Sequence, residues 1–167
     1  LSLILGGTGA RLEDLVAAYA ALARGGVGGK LRYTVDQPLL ERRMLSPGAA
    51  WIVQAILAEQ ERPGYRADTF EAGTRLRVAF KTGTSYGYRD AWAIGGTRRY
   101  TVGVWVGRPD GTPLPGQYGA ITALPLLFEV VDSLPHQRSD LLPQPPPASV
   151  AQQDICWPLG TAADAQP

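Results

Sequence analysis

The sequence contains few of the side chains from which many active sites are built. It has one cysteine, Cys156, one histidine, His136, and no asparagine. A single cysteine excludes a disulfide within the chain and a cysteine-rich metal site. The histidine lies beside Pro135 at the start of a Pro-rich segment, where a solvated loop side chain is expected, so a histidine-based catalytic triad is poorly supported.

The sequence also lacks an excess of charge and a long hydrophobic run. The formal net charge is +1 and charged residues make up 19% of the chain, so no broad attraction to nucleic acid or anionic lipid is expected. No run approaches the roughly 18 apolar residues that indicate a membrane helix. The 167 residues suffice for one domain with a tail. Because they begin at Leu1 rather than at a methionine, we expect a segment of a longer protein.

The spacing of the hydrophobic residues predicts an α+β fold in which helices flank an antiparallel sheet. Helical periodicity over 10–26 indicates one helix, and Ser46 is typical of the N-cap of a second helix that ends before Pro63. Alternating hydrophobic residues within 76–107, interrupted by glycine-containing turns, predict three strands in an antiparallel meander. A further helix is predicted over 123–134.

Three segments lack such periodicity. Residues 30–38 are expected to form a strand or an extended loop. Residues 135–154 are rich in proline and are predicted to be a semi-rigid extended linker. The apolar residues that follow, within 155–167, indicate the start of a further unit.

One short stretch combines a positive charge, hydroxyl groups and a glycine at the end of a predicted strand: Lys81, Thr82, Gly83, Thr84 and Ser85. Such a strand edge can bind an extended peptide, because its backbone pairs with the ligand while the ammonium and the hydroxyls hold a carboxylate. Alternatively, the stretch is an exposed edge strand whose lysine prevents aggregation. Strict alternation places Lys81 and Gly83 on one face and the two threonines on the other. One site can therefore include all four only at an edge with strong twist or a bulge.

The stretch over 81–92, KTGTSYGYRDAW, resembles the penicillin-binding proteins, which belong to the serine penicillin-recognising enzymes. In that family a K-T-G-T strand is followed by Asp-Ala-Trp on the next strand. The segments LEDLVAAYAALARGG, LSPGAAWIVQAIL and VGVWVG also occur in the order found in the family. The resemblance implies that 1–134 is the C-terminal part of a transpeptidase domain, with a β-lactamase-like fold, in a bifunctional peptidoglycan synthase. It implies that 155–167 is the truncated start of a further C-terminal domain.

The resemblance also implies roles for the five residues. Lys81 is implied to be catalytic, because the lysine of this motif organises the proton network around the nucleophile and adds positive charge near the terminal carboxylate of the substrate. Thr82, Gly83, Thr84 and Ser85 are implied to bind the substrate. The two threonines would hydrogen-bond the carboxylate of D-Ala-D-Ala or of a β-lactam, and the N–H of Thr84 would contribute to the oxyanion hole. No cofactor and no metal are expected.

Two motifs of the family are missing from the sequence. S-x-x-K requires a serine three residues before a lysine, but Val27 and Val78 occupy those positions, and S-x-N requires an asparagine. The nucleophilic serine is therefore expected before Leu1, together with the rest of the transpeptidase domain, a glycosyltransferase domain and a membrane anchor. The chain alone is expected to be inactive.

The implied parent protein is a serine-type DD-transpeptidase on the periplasmic side of the bacterial inner membrane. Its partners would be peptidoglycan stem peptides, β-lactams and the upstream half of the domain. No nucleic-acid partner is expected. Contact with the membrane is expected only through the anchor. A carboxypeptidase or β-lactamase of the same superfamily is one alternative hypothesis, and a non-catalytic peptide-binding or scaffolding module is another.

Overall fold

The computed structural model describes residues 8–63, 76–156, 158 and 160–162. In these residues helices pack on an antiparallel sheet, in agreement with the predicted α+β class. The helices are α1 (Leu12–Ala23), α2 (Pro47–Ala58), α3 (Gly119–Ser133) and one 3-10 helix (Arg138–Leu141). The strands are β1 (Val27–Gly29), β2 (Glu41–Arg43), β3 (Ala79–Thr84), β4 (Asp90–Gly96), β5 (Thr101–Gly107), β6 (Ile155–Cys156) and β7 (Thr161–Ala162).

Both predicted N-terminal helices are confirmed, and their ends have local causes. The chain leaves α1 through Gly25 and Gly26, whose φ angles are 61° and 88°, a region that glycine enters without a Cβ clash. At the start of α2, Ser46 Oγ accepts a hydrogen bond from the N–H of Ala49 at 3.2 Å. Residues 30–38, predicted as a strand or an extended loop, contain bends and a turn but no strand, and β1 and β2 pair on either side of them.

The predicted three-stranded meander is confirmed. Its strands lie in the order β3-β4-β5, and each is antiparallel to its neighbour. The register between β3 and β4 is continuous from Ala79 opposite Gly96 to Thr84 opposite Ala91, so this pairing contains no bulge. Side chains of β3 therefore alternate strictly between the two faces of the sheet.

A helix covers each face of the meander. A Cβ built on Gly95 of β4 would lie 3.0 Å from Leu127 Cδ2, which shows how closely α3 packs on one face. A Cβ on Gly103 of β5 would lie 2.5 Å from Val16 Cγ2, so α1 packs equally closely on the other. On the α3 face, buried side chains of β3, β4, β5 and α3 form the hydrophobic core, with Phe80 against the edge of the Phe128 ring. The two glycines let helices approach the sheet backbone.

The start of α3 differs from the prediction, whereas its end does not. The helix begins at Gly119, ahead of the predicted start at residue 123, and it ends at Ser133, next to Pro135. Its N-cap residue, Tyr118, makes no capping hydrogen bond with its side chain. A Cβ on Gly119 would lie 2.6 Å from Gly83 O, so contact with the sheet backbone, and not a local capping signal, places the first turn.

The Pro-rich segment is not extended throughout, so that part of the prediction is wrong. Residues 138–141 form the 3-10 helix, and its Asp140 is 4% exposed because the carboxylate accepts a hydrogen bond from the N–H of Gln137. Trp51 Nε1 of α2 donates to Gln144 O at 3.0 Å. A Cβ on Gly48 would lie 3.0 Å from Ser149 Oγ, so the segment follows α2 almost to its start.

These contacts predict where the Pro-rich segment is cut by a non-specific protease. Within 136–154, cleavage at 151–154 is expected to precede cleavage at 136–150, because the earlier residues are held against α2. Gly48→Val should raise cleavage at 145–150, since the new side chain displaces Ser149. Ala49→Val, on the exposed side of the same turn, is the matched control. Mass spectrometry that finds first cleavage at 136–144 in the unaltered protein would contradict the packing.

Candidate functional site

One edge of the meander is open beside the five candidate residues. Among the described strands, β3 pairs only with β4, so its other side has no strand partner. Ser85 N donates to Asp90 O at 3.0 Å, and these residues lie opposite each other. In an antiparallel pair, the residues between such bonded positions turn their N–H and C=O groups away from the neighbouring strand. The main-chain groups of Thr82 and Thr84 therefore point to the open edge.

Phe80 gives independent evidence that these main-chain groups face the open edge. It precedes the candidate residues in β3, and its N–H and C=O point the same way as those of Thr82 and Thr84. Its carbonyl oxygen accepts a hydrogen bond from Gln60 Nε2 at 2.6 Å, and Gln60 follows α2. The side chain of Gln60 thus occupies the start of the edge and leaves the part from Thr82 to Thr84 accessible. No sequence signal pointed to Gln60, because a glutamine after a helix has no characteristic spacing.

Lys81 and Gly83 share the face of the sheet that is turned away from α3. A Cβ on Gly83 would meet Trp92 Cβ at 3.8 Å, which places Gly83 beside this tryptophan. The Lys81 side chain is exposed, and its Nζ donates to Thr82 O at 2.7 Å. Within the part of the chain that the structure describes, no carboxylate forms an ion pair with Lys81. Its ammonium is therefore available to an anionic ligand at the edge.

Thr84 lies on the opposite face, as strict alternation predicts. Its Oγ1 accepts a hydrogen bond from the N–H of Gly119 at 3.1 Å, which ties the end of β3 to the first turn of α3. Since β3 has no bulge, side chains on both faces can act on one ligand only through the open edge between them. The hydroxyl hydrogen of Thr84 remains available as a donor, because the Gly119 contact uses only the oxygen.

Ser85 has a structural role in the turn after β3. Its Oγ accepts a hydrogen bond from the N–H of Asp90 at 2.9 Å, and its own N–H bonds back to the Asp90 carbonyl. Asp90 Oδ1 in turn accepts from Trp105 Nε1 at 2.9 Å, and the rings of Trp105 and Trp92 lie 6.3 Å apart. The Asp-Ala-Trp sequence therefore contributes Asp90 and Trp92 to an aromatic cluster on the Lys81 face.

The turn between β3 and β4 is joined to the loop before α3. Tyr88 has a φ angle of 56°, uncommon for a residue other than glycine, and its carbonyl accepts a hydrogen bond from Leu114 N at 2.8 Å. In the same loop, the N–H of Thr112 donates to Asp110 and lowers the pKa of that carboxyl. Tyr86 at the tip of the turn is 98% exposed. Aromatic side chains thus continue beyond the end of the open edge.

The hydrogen bond at Thr84 gives a stability prediction. Thr84→Val should destabilise the protein by about 1–3 kcal/mol, because the buried N–H of Gly119 loses its acceptor. Thr84→Ser keeps the hydroxyl and should cost less. Thr82→Val is the matched control, since no described residue hydrogen-bonds the Thr82 hydroxyl. Thermal melting measures the series, and equal melting temperatures for Thr84→Val and Thr84→Ser would exclude a structural role of the hydroxyl.

The described residues contain neither a metal-binding cluster nor a helix that could cross a membrane. No group of three or more His, Cys, Asp or Glu side chains lies close enough together to hold a metal ion. Among the described helices, none has the length and apolar character needed to cross a membrane.

Comparison with known proteins identifies similar chains. A family model described as the penicillin-binding protein 1C linker domain matches residues 149–167. Penicillin-binding protein 1C of Escherichia coli K12 is 54% identical over 161 residues, which cover 96% of this chain and 20% of that protein. Penicillin-binding protein 1A of Clostridium tetani is 25% identical over 174 residues, which cover 96% of this chain and 22% of that protein.

A solved structure has the same fold. The crystal structure of penicillin-binding protein 1A from Haemophilus influenzae matches 92% of this chain and 30% of its own length, with a TM-score of 0.64 at 13% sequence identity. The chain spans about one fifth of the length of the curated relatives it matches. The match over nearly the whole chain confirms the predicted resemblance to the penicillin-binding proteins: this chain is similar along 96% of its length to a segment of penicillin-binding protein 1C.

Proposed function

We propose that this chain is the C-terminal part of a serine-type DD-transpeptidase domain in a bifunctional peptidoglycan synthase. The observation that carries the proposal is the edge of β3 that no described strand pairs with, where the outward N–H groups of Thr82 and Thr84 lie beside an exposed Lys81 that no described carboxylate contacts in an ion pair. The identity to penicillin-binding protein 1C supports it. Residues 135–154 would be the linker and 155–167 the start of a further domain.

In the proposed reaction, the serine of S-x-x-K lies outside these 167 residues and attacks the carbonyl between the two D-alanines of a stem peptide. The bond to the terminal D-Ala breaks, a proton passes to its amine, and a serine ester forms. The amine of a second stem peptide then displaces the serine and forms the cross-link. A β-lactam would enter the first step and remain bound as an ester.

The open edge supplies what this reaction needs from β3. The substrate would lie along the edge as an added strand, with its terminal carboxylate near Lys81 and the threonine hydroxyls. The outward N–H of Thr84 would donate to the oxygen that becomes negative during attack. One such donor is worth about 3–4 kcal/mol of transition-state stabilisation. Gly83 allows the substrate backbone to approach, because Trp92 Cβ is the one described atom within 4 Å of where its side chain would begin.

The cellular setting is part of the same proposal. The stem peptides and the β-lactams would be the ligands, and the upstream half of the domain the partner within the same protein. A membrane anchor and a glycosyltransferase domain outside this segment would hold the protein at the periplasmic side of the inner membrane. A carboxypeptidase or a β-lactamase would use the same edge, with water in place of the second amine.

Intact-mass spectrometry after incubation with a β-lactam tests the assignment. We expect one covalent adduct on the full-length protein, at a serine outside this numbering, and no adduct on the 167 residues alone. A D-Ala-D-Ala peptide together with an amine acceptor should give a cross-linked product, which distinguishes transpeptidation from hydrolysis. An adduct on the 167 residues alone would show that the nucleophile is misassigned, and no adduct on the full-length protein would leave a non-catalytic peptide-binding edge.

A further inference from the structure

A cavity of about 200 Å³ lies at the other end of the meander from Thr84, where the Pro-rich segment passes α2. One wall is Trp51 of α2 and another is Gln144 of the Pro-rich segment, and these two residues are joined by their hydrogen bond. Small alanine side chains of α2 and β3 form an apolar floor. None of the five candidate residues of the edge lines this cavity.

The charged residues around the cavity are balanced. Arg77, which precedes β3, and Arg98, in the β4–β5 turn, contribute two guanidinium groups. Glu59 at the end of α2 and Asp140 in the 3-10 helix contribute two carboxylates. Within the part of the chain that the structure describes, neither arginine forms an ion pair, although carboxylates line the same space.

The size of the cavity limits what can bind. Pockets for drug-sized ligands are about 300–1,000 Å³, so a cavity of about 200 Å³ suits a smaller molecule. Two cationic and two anionic groups around an apolar floor match a molecule that carries one charge of each sign and a small apolar body. A simple anion would meet repulsion from Glu59 and Asp140, and a simple cation from the arginines.

We propose that this cavity binds a zwitterion of amino-acid or dipeptide size. The carboxylate of the ligand lies between Arg77 and Arg98, its ammonium faces Glu59 and Asp140, and its side chains contact the alanine floor. Because Gln144 belongs to the wall, the bound ligand also fixes the Pro-rich segment on α2. This site is independent of the proposed transpeptidase edge.

Calorimetric titration of the full-length protein with L-alanyl-L-alanine tests the proposal. We expect binding, and we expect N-acetylation or C-amidation of the dipeptide to weaken it about tenfold or more, because each removes one charge-assisted contact. Pre-treatment with an excess of β-lactam should leave the binding unchanged, which separates this site from the edge of β3.

A pair of adjacent arginines supplies the matched variants. Arg98→Gln should weaken dipeptide binding about tenfold, because Arg98 lines the cavity. Arg99→Gln should leave it unchanged, because the Arg99 guanidinium lies over the Tyr100 ring and does not line the cavity. The proposal is wrong if millimolar dipeptide releases no heat, if the blocked dipeptides bind equally well, or if the two variants behave alike.

Discussion

Lys81→Ala in the full-length protein should slow acylation by a β-lactam by about 10²–10⁴-fold, the range expected for loss of a group that assists proton transfer. The exposed ammonium lies at the open edge and has no carboxylate partner in the described residues, so its loss removes charge from the edge without breaking an ion pair of the described fold. Lys81→Arg should restore little of the rate, because a planar guanidinium does not replace a compact ammonium with three rotatable donors.

The other lysine of the sequence is the control. Lys30 is exposed after β1, away from the edge, and Lys30→Ala should leave the acylation rate unchanged. Stopped-flow or gel-based measurement of the acylation rate compares the variants. If Lys81→Ala acylates at the unaltered rate, the alternative hypothesis holds, in which β3 is an exposed edge strand whose lysine prevents aggregation and has no catalytic role.

Gly119→Ala should both destabilise the protein and impair acylation. Its new Cβ would lie 2.5 Å from Trp92 O and 2.6 Å from Gly83 O, which are backbone atoms and cannot rotate away as the end of a flexible side chain can. Overpacking of this kind costs about 1–3 kcal/mol. The shift falls on Gly83, near the end of the open edge, and on its partner Trp92 in β4, so the acylation rate should fall together with the melting temperature.

Gly83→Ala separates the two effects. Among the described atoms its Cβ would meet only Trp92 Cβ, at 3.8 Å, which is ordinary contact, so the melting temperature should change little. Acylation should still fall, because a methyl group then stands where the substrate backbone approaches. Gly9→Ala, whose new Cβ would meet no described atom within 4 Å, controls for the general effect of replacing glycine. A melting temperature of Gly119→Ala equal to that of Gly9→Ala would contradict the close packing of α3 on the sheet.

Most of the fold follows from local patterns in the sequence. Ser46 and the glycines after α1 mark helix ends because caps and positive φ angles depend on a few neighbouring residues. The alternation of apolar residues also depends on neighbouring residues, and it therefore predicts the meander. The start of α3 was missed because Gly119 is placed by contact with residues far away in sequence. The packing of Asp140 and Gln144 on α2 was missed because proline-rich composition carries no information about such distant contacts.

The candidate site was predictable in composition but not in arrangement. The five candidate residues are proposed because charge, hydroxyls and glycine occur together, and alternation correctly places Lys81 and Thr84 on opposite faces of the sheet. That Gln60 occupies the start of the edge depends on how α2 lies against β3. The hydrogen bond from Trp105 to Asp90 likewise depends on the register of two strands. Pairing across strands is set by the whole sheet, so no short motif contains it.

The outward N–H groups of Thr82 and Thr84 belong to the main chain, and this limits how mutations can alter them. A codon change replaces a side chain but leaves the peptide N–H in place, with proline as the sole exception. Inherited insensitivity to an inhibitor that uses these donors cannot therefore arise by simply deleting them. Displacing these donors requires moving the strand that carries them, and a Cβ at Gly119, 2.6 Å from Gly83 O, would press on that strand.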